Sequence, residues 1–127
     1  MSGTGASTVL VVDDDKNVRD LIRAVLSGQG YKTAVAVNGK EALAYLKKSS
    51  RPPGLILLDL MMPVMTGWEF RKVQQSDPAL ASIPVAIITG LTGVEDKALA
   101  IGAVDVLTKP SRVEALTSLV SRFCSIA

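Results

Sequence analysis

Residues 9–15 read VLVVDDD, an apolar run that passes directly into three aspartates. Four more short apolar segments follow, most of them rich in β-branched residues, and segments with helical spacing separate them. Strands that alternate with helices predict βαβ crossovers and a parallel sheet with helices on both faces. We therefore expect an α/β fold of five β-α repeats. The predicted strands are Val9–Val12, Thr33–Val37, Leu55–Leu58, Val85–Thr89 and Val104–Leu107.

The segment after the three aspartates has the clearest helical pattern, with apolar residues at i, i+3, i+4, i+7 and i+8. Gly28 and Gly30 are well placed to end this first helix. Its apolar face consists of Val18, Leu21, Ile22, Val25 and Leu26. The later helices are predicted after Asn38-Gly39, before Asp77-Pro78, near Glu95–Ile101 with an end at Gly102, and from Val113 to Phe123.

The overall composition is that of one globular domain. The chain has 127 residues, of which 48% are hydrophobic and 20% charged, and we expect residues 1–127 to form one domain with its core at about 8–124. The apolar runs are far shorter than the roughly 20 residues of a membrane span. Residues 1–8, MSGTGAST, lack the basic and apolar regions of a signal peptide. Since the single Cys124 has no intrachain partner, we expect a cytoplasmic protein.

The residue types that are missing restrict the chemistry. The chain has no histidine, which excludes histidine-based triads, metal ligands and general bases within it. One cysteine excludes a zinc cluster of cysteines. With a net charge of +2 and only short basic groups, the sequence predicts no direct contact with nucleic acid. Carboxylates, hydroxyls, lysines and backbone groups remain.

Polar side chains stand at the carboxyl ends of four predicted strands. In an open parallel sheet these ends share one edge, where ligands bind. Clustered carboxylates repel one another, and a hard divalent cation with oxygen ligands compensates that repulsion. A cation, a carboxylate nucleophile and two donors for phosphoryl oxygens favour phosphoryl transfer to an aspartate. The residues are Asp13 and Asp14, Asp59, Thr89, and Lys109.

Each of these residues also has a purely structural interpretation. Asp15 fits the N-cap of the first helix better than it fits a functional role. Taken alone, Asp59 is equally compatible with a strand-ending turn and Lys109 with a loop lysine, whereas Thr89 fits an ordinary strand residue better than a functional one. The combined pattern favours the functional interpretation, because four strand ends each supply a needed group in order.

Four motifs together resemble a receiver domain of the response-regulator family of two-component signalling, with the chemotaxis regulator as the minimal example. They are VLVVDDD at 9–15, LILLDLMMPVMTG at 55–67, VAIITG at 85–90 and GAVDVLTKP at 102–110. The resemblance runs from about Thr8 to Phe123. It implies a doubly wound, flavodoxin-like sheet of five parallel strands in the order 2-1-3-4-5.

The resemblance also implies roles for individual residues. Asp59 matches the aspartate that accepts phosphate, Thr89 the hydroxyl that contacts the phosphoryl group, and Lys109 the lysine that pairs with it. Pro110 matches a proline whose preceding peptide is usually cis. Pro63 and Gly67 match positions of the loop after the third strand, where glycine is able to adopt positive φ.

A Mg²⁺ site is the cofactor expectation that the resemblance implies. Asp13 and Asp14 match the acidic pair that organises Mg²⁺, with Asp14 preferred as the direct ligand. Asp59 and the backbone carbonyl of Met61 match further ligands. The expected phosphodonor is a partner histidine kinase or histidine phosphotransfer protein, or a small phosphodonor, and phosphorylation-linked homodimerisation is a further expectation.

Three positions depart from the family pattern. Val106 stands where a tyrosine or phenylalanine often lies on the fifth strand, so the usual inward swing of an aromatic ring is missing. Ser111 replaces an aromatic residue, and Thr66 replaces an acidic one. Neither of these two changes is expected to alter the chemistry.

The sequence therefore predicts a phosphorylation-dependent switch that changes the surface around the fourth helix, fifth strand and fifth helix. It is a phosphoacceptor rather than an enzyme, and the output partner is left open. A phosphate-independent interaction module with the same fold is the main alternative. A phosphohydrolase is disfavoured because Met61 stands where a second acid is usual, and a flavin site because three aspartates follow the first strand.

Overall fold

The computed structural model describes residues 7–126, in which strands and helices alternate. The strands are β1 (Thr8–Val12), β2 (Lys32–Ala36), β3 (Leu55–Leu58), β4 (Val85–Thr89) and β5 (Asp105–Thr108). The helices are α1 (Lys16–Gly28), α2 (Gly39–Lys48), α3 (Gly67–Ser76), α4 (Glu95–Ala100) and α5 (Val113–Ser121). None of these helices is long and apolar enough to cross a membrane. The signal-peptide expectation concerns residues 1–8, of which residues 1–6 lie outside the described part.

The five strands form one parallel sheet in the order β2-β1-β3-β4-β5. This confirms the expected doubly wound arrangement. In the register of the sheet, Val12 of β1 lies beside Leu58 of β3, and Leu58 lies beside Ile87 of β4. The residues that follow β1 and β3, Asp13 and Asp59, are therefore neighbours at one edge of the sheet.

The central strands are buried on both faces because helices cover both. Side chains alternate between the faces of a strand, and each set joins a separate core. Leu10, Ile56 and Leu58 pack with residues of α2, α3 and α4. Val11 and Leu57 pack with residues of α1 and α5 on the opposite face. Full burial of one such side chain contributes about 1.5–3 kcal/mol, so the two cores together hold the strand ends in place.

Several predicted boundaries differ from the structure by one residue. β2 and β5 cover Lys32–Ala36 and Asp105–Thr108 instead of Thr33–Val37 and Val104–Leu107. The ends of these strands depend on hydrogen bonding to the neighbouring strands, and the hydropathy pattern carries no information about that pairing. Along α1, Leu21 is 66% exposed although its spacing places it on the apolar face. The apolar face of α1 is thus wider than the part of it that packs against the sheet.

The loop between β3 and α3 corrects one expectation. Gly67 does not have the positive φ; the residue in this loop that does is Val64, with φ of 70°. A bond of 2.7 Å from the N–H of Met65 to the carbonyl of Pro63 closes a γ-turn around it. Gly67 is needed for another reason, because an added Cβ would overlap the backbone oxygen of Asp59.

Candidate functional site

Three carboxylates meet at the edge of the sheet where β1 and β3 end. Asp13 and Asp59 are 2% and 6% exposed, whereas Asp14 is exposed to solvent. One carboxylate oxygen from each lies within 4.8 Å of the others. The N–H of Asp59 donates to the carbonyl of Val12 at 3.0 Å, which continues the pairing of the two strands up to the site. The structure thus brings these predicted residues together.

Asp13 is held at every polar atom. Its Oδ1 accepts the N–H of Asp15 at 2.9 Å, and its Oδ2 accepts from Lys109 Nζ at 2.6 Å. Its own N–H donates to the carbonyl of Ala36 at 3.1 Å, and its carbonyl accepts from Arg19 Nη1 at 2.8 Å. The side chain of Asp13 therefore has little freedom to change its position.

Lys109 reaches the carboxylates from the end of β5. Its N–H donates to the carbonyl of Thr89 at 2.7 Å, and the peptide that joins it to Pro110 is cis, as expected. Its Nζ lies 2.6 Å from Asp13 Oδ2 but 3.4 Å from Asp59 Oδ2. Although burial alone lowers it, the pKa of Lys109 lies above its ordinary value because Asp13 and Asp59 stabilise the charged form.

Asp59 is the less tightly held of the two buried carboxylates. Its Oδ1 accepts the N–H of Met61 at 3.4 Å, and its Oδ2 lies 3.4 Å from Lys109 Nζ. Burial raises the pKa of Asp59 and the charge of Asp13 raises it further, while Lys109 opposes both effects. A buried, weakly solvated carboxylate beside an ammonium group is well suited to attack an electrophile.

The donor set of the site fits a hydrated hard cation. Three carboxylates within 4.8 Å of one another supply oxygen ligands, and solvent reaches the site on the side of Asp14. Mg²⁺ keeps several waters and takes few carboxylates, so a site open on one side suits it. Within residues 7–126, Asp14 has no ion pair that competes for this role.

Thr89 ends β4 at the same edge and is buried. Its hydroxyl oxygen accepts the N–H of Leu91 at 3.2 Å, so the side chain is engaged with the loop that leads into α4. Met61, in contrast, is 57% exposed on the loop after β3. Each is connected to a site residue, Met61 through its N–H to Asp59 Oδ1 and Thr89 through its carbonyl to the N–H of Lys109.

Asp15 takes the structural role that the sequence favours. Its Oδ1 accepts the N–H groups of Asn17 and Val18 at 2.8 and 3.4 Å, which makes it the N-cap of α1. Arg19 was not among the residues predicted from the sequence, and its guanidinium donates to the backbone carbonyl of Asp13. The one available signal was a cation in the first turns of a helix, where the helix dipole disfavours it.

Comparisons with known proteins agree with this geometry. A family model described as the response regulator receiver domain matches residues 9–121. The DNA-binding response regulator MtrA of Mycolicibacterium paratuberculosis is 35% identical over 114 residues, which are 88% of this chain and 48% of MtrA. The chain therefore spans about half the length of this relative.

Solved structures show the same likeness. The chemotaxis protein CheY4 of Vibrio cholerae has a TM-score of 0.83 and 34% identity, covering 94% of this chain and 99% of that one. The receiver domain of a signal transduction histidine kinase from Syntrophus aciditrophicus has a TM-score of 0.83 and 33% identity, covering 93% and 89%.

The chain belongs to the response regulator receiver domain family of two-component systems. This confirms the resemblance drawn from the four motifs. Receiver domains are in general signalling domains rather than enzymes in the ordinary sense, and they bind Mg²⁺ at an acidic pocket. The cluster of Asp13, Asp14 and Asp59 is such a pocket by its composition.

Proposed function

We propose that the chain is a phosphorylation-dependent switch whose phosphoacceptor is Asp59. The observation that carries this proposal is the contrast between the two buried carboxylates. Asp13 has both oxygens in hydrogen bonds of 2.6–2.9 Å, whereas the contacts of Asp59 are at 3.4 Å. The carboxylate of Asp59 is therefore the less tightly held of the two and the more available to react, and Lys109 lies beside it.

The proposed transfer is an in-line displacement at phosphorus. A carboxylate oxygen of Asp59 forms the new P–O bond while the bond from phosphorus to the donor breaks. Lys109 offsets the charge on the phosphoryl oxygens, and its ammonium group is held in place by Asp13. We assign Mg²⁺ to Asp13, Asp14, Asp59 and the carbonyl of Met61; when bound, it supplies additional positive charge for the same oxygens.

The donor histidine lies outside residues 1–127, because this sequence contains no histidine to carry the phosphoryl group. We propose that the donor is a histidine kinase or a histidine phosphotransfer protein. We also propose that the protein is cytoplasmic and that the chain forms one receiver domain with its core at about residues 8–124. An apolar groove of about 320 Å³ between α1 and the start of α5 supports this partner. Leu21 and Val113 line the groove, and Lys109 connects it with the phosphoacceptor.

This groove suits an apolar helical surface that presents a phosphohistidine to Asp59. Leu21→Asp is expected to slow phosphotransfer from any histidine kinase that phosphorylates the wild type, and to leave the reaction with acetyl phosphate unchanged. Leu99→Asp is the matched control, since Leu99 is an exposed leucine of α4 outside the groove. Equal effects of the two variants on transfer would argue against the groove.

The proposed output begins at Thr89. A phosphoryl group brings roughly −1.5 to −2 charges and new acceptor oxygens, which attract the Thr89 hydroxyl away from the N–H of Leu91. The loop then shifts, and α4 follows because it has no side-chain N-cap that holds its first turn. The altered surface of α4, β5 and α5 binds the output partner or a second phosphorylated copy.

We also propose that the phosphorylated form decays slowly. Hydrolysis needs a water in line with the phosphorus, and Met61 and Leu91 flank that approach by analogy with the family. Neither side chain orients a water by hydrogen bonding, and orienting the nucleophile is a substantial part of such catalysis. The combined variant Met61→Asn and Leu91→Glu is expected to lose phosphate faster in Mg²⁺. Equal or slower loss contradicts the proposal.

The decisive experiment is intact-protein mass spectrometry after incubation with acetyl phosphate and Mg²⁺. We expect one phosphate adduct on the wild type and none on Asp59→Asn. Asp96→Asn, which removes an exposed carboxylate of α4, is the control and should react normally. A full-yield adduct on Asp59→Asn shows that the phosphoacceptor is a different residue.

A phosphate-independent interaction module is the second candidate, and one observation favours it. Val106 is a half-buried valine at the position where the family often has an aromatic residue. A wild type that takes no phosphate under these conditions supports this alternative. So does an adduct that leaves the hydrogen exchange of α4 and β5 unchanged.

A further inference from the structure

Arg19 makes a side-chain contact with the acidic loop that the proposed chemistry leaves unused. It lies in the first turns of α1, and its Nη1 donates to the backbone carbonyl of Asp13 at 2.8 Å. The N–H of the same residue donates to the carbonyl of Asp15 at 3.0 Å. Arg19 is partly buried, so its guanidinium is held between the helix and the loop that carries the acidic residues.

The contacted carbonyl belongs to the peptide unit that joins Asp13 to Asp14. Because the peptide unit is planar, a hydrogen bond to this carbonyl fixes the direction in which the chain enters Asp14. On the other side of Asp14, the N–H of Asp15 is held by Asp13 Oδ1 at 2.9 Å. Arg19 and Asp13 thus hold the backbone on both sides of an exposed carboxylate.

Electrostatics acts on this position in both directions, because the charge of Asp20 attracts Arg19 whereas the helix dipole opposes it. The first turn of α1 contains no acidic residue and includes Lys16, and the positive end of the helix dipole disfavours cations there by roughly 0.3–1 kcal/mol. A cation beside a metal site also repels the metal. The hydrogen bond to the carbonyl of Asp13 is the contact through which Arg19 acts on the loop that carries the acidic residues.

We propose that Arg19 is a positioning residue for the Mg²⁺ site, which orients the Asp13–Asp14 peptide so that the Asp14 carboxylate faces the cluster. This inference rests on the proposed function, since it assumes that the acidic cluster holds Mg²⁺. The direction in which Mg²⁺ affinity changes when Arg19 is removed distinguishes a positioning role from a purely electrostatic one. If Arg19 acted only through its charge, its removal would tighten Mg²⁺ binding; if it positions Asp14, its removal weakens binding.

The test is a Mg²⁺ titration of the unphosphorylated protein, followed by Trp68 fluorescence and by calorimetry. Arg19→Gln is expected to raise the dissociation constant about tenfold, the lower range found when outer contacts of metal ligands are removed. Arg23→Gln removes an exposed arginine one turn further along α1 and is the charge-matched control. Asp14→Ala should bind most weakly of all. Circular dichroism confirms that each variant is folded at the titration temperature.

A conservative variant separates positioning from loss of structure. Arg19→Lys keeps the charge and a donor for the same carbonyl, so we expect it to bind Mg²⁺ more tightly than Arg19→Gln. Unchanged or tighter binding in Arg19→Gln, or Arg19→Lys no better than Arg19→Gln, overturns the inference. If the wild type takes phosphate and Arg19→Gln binds Mg²⁺ normally, the inference alone fails. A wild type that binds no Mg²⁺ and takes no phosphate overturns the proposed function as well.

Discussion

Two regions of the molecule are built very differently, and one of them contains Asp59, the proposed phosphoacceptor. We call the ends of β1 and β3 with their following loops, residues 13–15 and 59–67, the acidic end. We call residues 90–108, which include α4 and β5, the output segment. The acidic end follows two strands buried on both faces and leads into α1 and α3, each with a side-chain N-cap. The output segment has a six-residue helix without one and an edge strand.

The difference indicates that the acidic end fixes the positions of its charged side chains, whereas the output segment is built to allow movement. Like charges at the acidic end require fixed partners, because buried carboxylates that lose their hydrogen bonds destabilise the fold. Movement requires the opposite, a segment with few strong contacts that opens at a low free-energy cost. The predictions below contrast the two regions, from the largest expected effect to the smallest.

Replacement of a glycine should be harmful at the acidic end and harmless at the start of the output segment. An added Cβ at Gly67 would lie 2.8 Å from the Cα of Leu60, whereas none of the described atoms lies within 4 Å of a Cβ at Gly90. We expect Gly67→Ala to lower the free energy of unfolding by about 3 kcal/mol, with little change for Gly90→Ala. Urea denaturation measures both. Similar losses in the two variants contradict the contrast.

Arg71 connects the output segment to α3. This buried arginine donates to the carbonyls of Ile101 and Gly102 at 2.8 and 3.4 Å and to the side chain of Gln74 at 2.8 Å. Burial lowers its pKa. Arg71→Met leaves three acceptors without this donor and should cost about 2 kcal/mol.

Hydrogen exchange locates the effect of this change. Exchange should become faster in α4 and stay unchanged in α1. Lys72→Met, which removes the neighbouring exposed cation, is the control and should change stability little. Faster exchange in α1 as well would mean that Arg71 stabilises the whole fold rather than the end of α4.

Asp59→Asn should stabilise the protein at neutral pH, because burial disfavours the ionised form of this carboxylate and raises its pKa. The folded pKa of Asp59 is raised, so the folded state binds more protons and wild-type stability falls as pH rises from about 4 through that pKa. Asparagine does not titrate, and Lys109 keeps its closer partner Asp13. The gain should vanish near pH 3.

Thermal unfolding at several pH values measures this difference. Asp96→Asn removes an exposed carboxylate of the output segment and should change stability little at any pH. A gain for Asp59→Asn that is the same at pH 3 and pH 7 would show that ionisation of Asp59 is not its cause.

The smallest effect on stability is expected for Val106→Tyr, within about 0.5 kcal/mol, because the side chain is only partly buried at the rim of the core. The tyrosine restores a ring that is able to move between solvent and core. We therefore expect phosphorylation to change the hydrogen exchange of β5 more in this variant than in the wild type. Val104→Tyr, at an exposed position beside β5, is the control.

Much of the fold was predictable because its signals are local. Apolar runs such as Leu55–Leu58 mark buried strands, and a single repeated pattern marks α1. From these, the rules of parallel sheets place Asp13, Asp59 and Lys109 at one edge without knowledge of any contact. The N-cap role of Asp15 was equally local, since it depends on N–H groups two and three residues further along the chain.

The tertiary structure alone decided how these residues share their contacts. Lys109 lies closer to Asp13 than to Asp59, a choice between partners 96 and 50 positions away along the chain. The need for Gly67 and the anchoring of α4 by Arg71 likewise depend on atoms that meet only after the elements pack. Hydrophobic periodicity predicts which face of an element is buried. Differences of less than an ångström between side-chain contacts follow from the packing of the whole chain.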